Sequence, residues 1–287
     1  MIPAMNLVAW GNVVPWAEQR QVEQDLIICR AIVDIFSNPL LRTELRFRGG
    51  TALNKLHFPA PLRYSEDIDL VRTTTGSIGP VLDGVREVLE PWLGKAGFDQ
   101  SAVAPKLRFR VPAEGGSGTI RLKIEINTRE VDAYDPPVGI PFNVKNPWFT
   151  GAASVATYSR EELLATKLRA LLQRDKGRDL FDLAHALDVL ERLNVDRVIE
   201  CFGLYLKKNN LVIPRSEAER RMFAKLANPS FLTDMRPLVS AAEAVKLDEA
   251  VTKQTFEKIF RHFIVKLPGD PWAKTDEMKQ RFGVLLL

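Results

Sequence analysis

A chain of 287 residues, 46% hydrophobic and 26% charged, has a globular composition and enough length for one large or two ordinary domains, which excludes a disordered protein. Its formal net charge of +4 is unevenly placed: residues 1–158 carry 17 basic and 17 acidic side chains, residues 159–287 carry 23 and 19. That excess suits a nucleic-acid backbone and equally an ordinary wet surface, while no apolar run approaches the ~18 residues of a membrane span and no secretory pattern opens the chain, so a cytoplasmic protein is expected.

In chain order, residues 18–36 place apolar side chains at helical spacing and end at Asn38-Pro39. Leu45 to Arg48 reads as a short strand running into Gly49-Gly50, and Thr51 to His57 as one or two turns of helix. Asp67 to Arg72 is a second strand, and Ile78 to Leu93 a helix stopped by Gly94 and Gly97. Lys106 to Val111 and Thr119 to Asn127 alternate polar and apolar residues around the turn Glu114-Gly115-Gly116-Ser117-Gly118, which predicts a β-hairpin. Residues 131–150 hold Pro136, Pro137, Pro141 and Pro147 and are expected to be an extended connector. From Ser159 the pattern is helical to about Phe263, with a terminal helix over Lys274 to Leu287. An α/β half, 1–157, and an all-α half, 158–287, are expected.

The two cysteines, Cys29 and Cys201, sit in apolar helical contexts and read as buried thiols rather than a disulfide, and no Cys/His spacing suits zinc. His57, His185 and His262 form no triad or metal pattern, and the sequence holds no Walker A loop, G-x-S-x-G elbow or G-x-G-x-x-G. The five tryptophans are expected to pack rather than to stack on bases.

The densest chemistry lies in FRGGTALNKLHFPAPLRYSEDIDLV, Phe47 to Val71. Residues two apart on a strand share a face, so Asp67 and Asp69 project together. Two such carboxylates repel unless a cation lies between them, and a hard divalent metal is one answer, a solvated strand edge another. Gly49 and Gly50 offer bare N–H groups at a helix start, which attract phosphate. Glu125, with Lys123 and Asn127, lies on the polar face of a strand able to pair beside Asp67 and Asp69. It reads either as a third metal-binding acid, which would allow two Mg²⁺ ions about 3.5–4 Å apart, or as a salt-bridge partner. Lys167 falls in the middle of the apolar stripe of SREELLATKLRALLQ, where it must meet an anion, snorkel or form an internal ion pair. Asp179 and Asp182 share a face of the next, largely apolar helix; Asp182 needs a buried partner, and Asp179 reads more simply as an acid favoured by the helix dipole.

Four blocks, FRGGTALNKL, RYSEDIDLV, LKIEIN and ELLATKLRALLQRDKGRDLFDLAHAL, together resemble the AbiEii/AbiGii nucleotidyltransferase toxins, including the mycobacterial MenT group. The resemblance implies an α+β, polymerase-β-like nucleotidyltransferase core with a mixed sheet and flanking helices, followed by a C-terminal helical bundle. It implies transfer of a nucleoside monophosphate from an NTP with Mg²⁺, or Mn²⁺, to an acceptor, which in the MenT group is the tRNA 3′ end, in a toxin paired with an antitoxin. Asp67 and Asp69, with Glu125 as third acid, would hold metal; Gly49, Gly50, Thr51 and Ser65 would hold phosphates; Lys167 would neutralise the triphosphate and Asp182 would be the essential acid of the last motif. The rival readings are a DxD glycosyltransferase and a non-catalytic RNA-binding regulator placed on the basic C-terminal half.

Overall fold

A computed structural model describes residues 2–116 and 118–285; Ser117 of the expected turn and Leu286–Leu287 of the expected terminal helix lie outside the described residues. The chain divides into two compact units, Met1–Ser159 and Arg160–Leu287.

In the first unit, α1 (Ala4–Gly11) precedes α2 (Gln19–Ser37), whose start is closed by a capping box between Glu18 and Gln21. Asn38 ends α2 and its side chain accepts from Leu41 N, so with Pro39 behind it the same residue opens α3 (Pro39–Glu44). Strand β1 (Leu45–Arg48) runs into α4 (Gly49–Ala52), which continues as a π-type turn over Leu53–His57. Then follow β2 (Asp67–Arg72), α5 (Gly79–Leu93), β3 (Gly97–Asp99), β4 (Lys106–Pro112), β5 (Thr119–Asn127), β6 (Val138–Asn146) and β7 (Phe149–Thr157). The expected strands are present within a residue of their predicted bounds.

These seven strands form one mixed sheet in the order β3-β4-β5-β2-β1-β7-β6, with β2 parallel to β5 and β1 parallel to β7. One face carries Phe47, Ile68, Leu70, Leu107, Phe109, Leu122, Ile124 and Ile126, all buried. Helix α2 crosses the sheet and packs on β7, β5, β6 and β2, burying Leu26, Ile27, Ile28, Ile32, Ile35 and Phe36. The other face of β4, β5 and β2 bears the charged residues of the alternation.

Residues 131–150 are not an extended connector. They contain β6 and the start of β7, an antiparallel hairpin turned at Pro147-Trp148. Pro141 argues against a strand because proline removes a ladder donor; β6 lies at the sheet edge, the place in a sheet where proline is tolerated. The missed β3 is likewise a short edge strand.

The second unit is helical: α6 (Arg160–Gln173), α7 (Gly177–Val189), α8 (Val195–Lys208), α9 (Arg215–Leu226), α10 (Pro229–Thr233), α11 (Ala241–Lys246), α12 (Glu249–His262) and α13 (Thr275–Phe282). Helix α6 packs on α7, α8 and α9, and α12 on α7 and α9, around Phe223, Phe256 and Phe260, whose ring centroids lie 5.5–5.7 Å apart. The terminal helix is shorter than expected, because Gly283 takes a left-handed φ of +57° just past Phe282.

Candidate active site

Strand register assembles the site. β1 is antiparallel to β2 with Arg48 opposite Asp69, so the chain leaves β1 beside the carboxylates that open β2. Parallel pairing of β2 with β5 sets Asp67 opposite Lys123 and Asp69 opposite Glu125. Directly paired residues share a face, so Asp67, Asp69 and Glu125 lie together on the charged side of the sheet.

Gly49 closes the group. Its φ is +83°, and a β-carbon there would stand 2.3 Å from Asp69 Oδ2. Only glycine lets the backbone pass this close to the carboxylate. Gly49 and Gly50 form the first turn of α4, whose leading N–H groups have no partner within the helix. Thr51 is buried; its hydroxyl donates to the Asp67 carbonyl at 2.5 Å and lies 2.6 Å from Ser65 Oγ. With its one proton engaged, Thr51 accepts from Ser65, and both hydroxyls tie the glycine loop to the start of β2. Asn54 adds a second tie, donating to the Gly50 carbonyl and accepting from Leu62 N and Arg63 N.

The charge balance is uneven. Lys123 Nζ lies 2.9 Å from Asp67 Oδ2 and 3.4 Å from Glu125 Oε2, and Lys106 Nζ is 3.5 Å from Glu125. Partial burial lowers the Lys123 pKa, but the hydrogen bond and charge of Asp67, with Asp69 and Glu125, outweigh it and hold the ammonium above its ordinary value. Burial pushes the Asp69 carboxyl up, Asp67 and Glu125 add to the rise, and Lys123 and Arg48 offset only part of it. The surroundings of Asp69 therefore disfavour its ionised form. Among the described residues no three His, Cys, Asp or Glu side chains are gathered closely enough to enclose a metal ion. The hard oxygens of Asp67 and Asp69 fit a divalent cation by donor chemistry, with Lys123 already against Asp67 and both Lys123 and Lys106 near Glu125. Lys123 was missed as a site residue; its place two residues before Glu125 on an alternating strand was the available signal.

Behind the glycine loop lies a buried polar knot that sequence reasoning also missed. Asp25 of α2 accepts from Trp10 Nε1 at 2.9 Å, Trp16 Nε1 at 3.0 Å and Lys55 Nζ at 2.5 Å. Burial beside it pushes the Cys29 thiol up to about 12, an unreactive thiol.

In the helical unit, Lys167 and Asp182 are brought together. Lys167 Nζ lies 2.8 Å from Asp182 Oδ2 and 3.0 Å from Asp179 Oδ1, with both aspartates fully buried. Asp179 is not a plain helix-dipole acid: Arg174 grips it through two N–H groups at 2.7 and 2.9 Å. Burial raises the Asp179 pKa, but Lys167 and Arg174 outweigh it and hold the carboxyl below its usual range.

The family described as "Nucleotidyl transferase AbiEii toxin, Type IV TA system" matches residues 30–269. Among solved structures, the fold is similar to MenT4, a nucleotidyltransferase toxin from Mycobacterium tuberculosis H37Rv, at 16% identity and TM-score 0.58, covering 98% of this chain and 96% of that one. JHP933 from Helicobacter pylori aligns at 19% identity and TM-score 0.49, covering 85% of this chain and 94% of that one. No curated relative matches the sequence.

Proposed function

The chain belongs to the AbiEii family of nucleotidyltransferase toxins, and on that premise we propose that it transfers a nucleoside monophosphate from an NTP to the 3′ end of tRNA, in the cytoplasm, with Mg²⁺. The family makes it an enzyme of a type IV toxin–antitoxin system, with an NTP substrate and an antitoxin partner, and sets aside the glycosyltransferase and non-catalytic readings. Among the described residues no helix is long and apolar enough to cross a membrane.

One observation carries the mechanism: an Asp69 whose ionised form is disfavoured, beside Asp67, with a glycine backbone packed against it. Asp67 and Asp69 would hold the divalent cation, with Glu125 as the neighbouring third acid. When bound, that ion would acidify the attacking hydroxyl and neutralise phosphate charge. Gly49 and Gly50 would offer backbone N–H groups to the phosphates, on a loop held by Thr51 and Ser65. Lys123 would place its ammonium charge beside Asp67. Lys167 and Asp182 would supply the basic and acidic groups of the helical motifs, paired with each other inside the helical unit.

The test is incubation with each α-labelled NTP, Mg²⁺ and total RNA. Label on tRNA-sized RNA, with stoichiometric pyrophosphate, supports the reading. Label on another RNA class would correct the acceptor, and no label with any NTP and a soluble protein would overturn the transfer reaction.

A further inference from the structure

The charged side of the β4–β5 hairpin holds an arrangement that folding alone does not favour. In register, Arg110 stands opposite Arg121, and Arg108 opposite Lys123. Like charges directly across an antiparallel pair are destabilising, since their β-carbons are only about 4.5–5.5 Å apart. Arg108 is relieved by Asp99 at 2.5 Å, and Lys123 by Asp67 at 2.9 Å. Arg110 and Arg121 are both exposed, and among the described residues neither guanidinium has an ion-pair partner. Further along the same two strands, Lys106 faces Glu125, which is level with Asp69. A cationic track therefore starts at Arg110/Arg121 and runs about 7 Å, two residues of strand, to the level of Asp67 and about 13 Å, four residues, to that of Asp69 and Glu125.

Several cations of the helical unit are placed differently. Arg220 and Arg221 share Glu217, Lys225 holds Asp175, and Arg174 holds Asp179. Their charge is met within the fold. Arg110 and Arg121 differ from these in facing each other across the strands, on the charged side that carries Asp67 and Asp69.

We infer that Arg110 and Arg121 form the docking surface for the phosphodiester backbone of the acceptor RNA, gripping it a few nucleotides back from the end that reacts at Asp67 and Asp69. This rests on the proposed transfer to RNA. Phosphate contacts of this kind set position rather than sequence. They also explain the cross-strand repulsion, because a bound phosphate supplies the counter-charge the hairpin lacks.

The experiment measures transfer of labelled nucleotide to total tRNA by the full chain, as wild type, Arg110→Glu/Arg121→Glu and Arg110→Gln/Arg121→Gln. A Lys207→Glu/Lys208→Glu variant serves as the helical-unit comparison. Both hairpin variants should raise KM for tRNA by about tenfold or more, with KM for NTP unchanged, and the salt dependence of RNA binding should flatten by about 1.4 in log–log slope for two lost single-strand phosphate contacts. Single Arg110→Glu makes an opposite-charge pair with Arg121, so it should melt no lower than wild type while still weakening RNA binding. A merely structural role would lower the melting temperature and leave the salt slope alone. Unchanged KM for tRNA and unchanged slope in both hairpin variants would overturn the inference, as would loss confined to the Lys207/Lys208 variant. A rise in KM for NTP instead would reassign the track to the triphosphate. Failure of the wild type itself to label any RNA would remove the underlying reading, an outcome separate from a normal wild type with normal variants.

Discussion

The ammonium of Lys167 lies 2.8 Å from the carboxylate of Asp182, a pair joining α6 to α7 with Asp182 fully buried. Removing the lysine takes an ammonium away from two fully buried carboxylates, Asp182 and Asp179. Breaking a buried pair from one side costs about 3–5 kcal/mol. Lys167→Met should therefore lose transfer activity and lower the urea midpoint together. Adding Asp182→Asn should recover much of the stability and none of the activity. A Lys167→Met protein as stable as wild type would show that the pair does not hold the two helices.

Asp69 gives a prediction of opposite sign. Its folded pKa is raised, so the folded state binds this proton more readily than the unfolded chain does. The contribution of Asp69 to stability is fully present below the unfolded value near 3.9 and is lost as pH rises through the folded value. At neutral pH the carboxylate is a cost to the fold. Asp69→Asn should melt higher than wild type at pH 7, with the gain disappearing at acid pH. It should still lose about a thousandfold or more in transfer, since a metal ligand supports several kcal/mol of transition-state stabilisation. A variant that melts lower at pH 7 would contradict the charge balance described.

The same imbalance predicts a response to cation. Mg²⁺ should raise the melting temperature of the wild type, and about a hundredfold excess over Kd corresponds to about 2.7 kcal/mol. EDTA should reverse the shift and stop transfer, and Asp69→Asn should show no shift. Full transfer in metal-free buffer would rule out the proposed role of Asp67 and Asp69.

Gly49→Ala tests the close approach of backbone and carboxylate. The methyl would overlap Asp69 Oδ2 and require an alanine at φ +83°. Such backbone strain costs about 1–3 kcal/mol. Displacement of Asp69 should lower kcat by about a hundredfold, because misplacement of about 1 Å has effects of that size. Gly50→Ala, where the backbone needs no positive φ, should be milder in stability; equal effects would deny Gly49 its special place.

Strong expression without antitoxin should arrest growth, and Asp69→Asn should relieve the arrest at equal protein level. Growth arrest by the inactive variant would separate toxicity from catalysis.

Much of this protein was legible from local pattern. Alternation along Lys106–Val111 and Thr119–Asn127 specified a hairpin, because a strand turns every second side chain to the same side. The spacing of Asp67 and Asp69 specified a shared face for the same reason. Lys167 was legible as an anomaly, since one charge in the middle of an apolar stripe must meet an anion. What local pattern could not specify was which partner meets which group. Glu125 reaches the level of Asp69 only through the parallel pairing of β5 with β2, strands separated in sequence by α5, β3 and β4. Lys167 meets two aspartates rather than none because α7 folds back on α6. Pro141 reads as a strand breaker from sequence, and only the edge position of β6 explains its presence in a strand. Strand and helix faces are set by neighbours in sequence; register, edge and ion-pair partner are set by long-range pairing, and only the tertiary structure decides them.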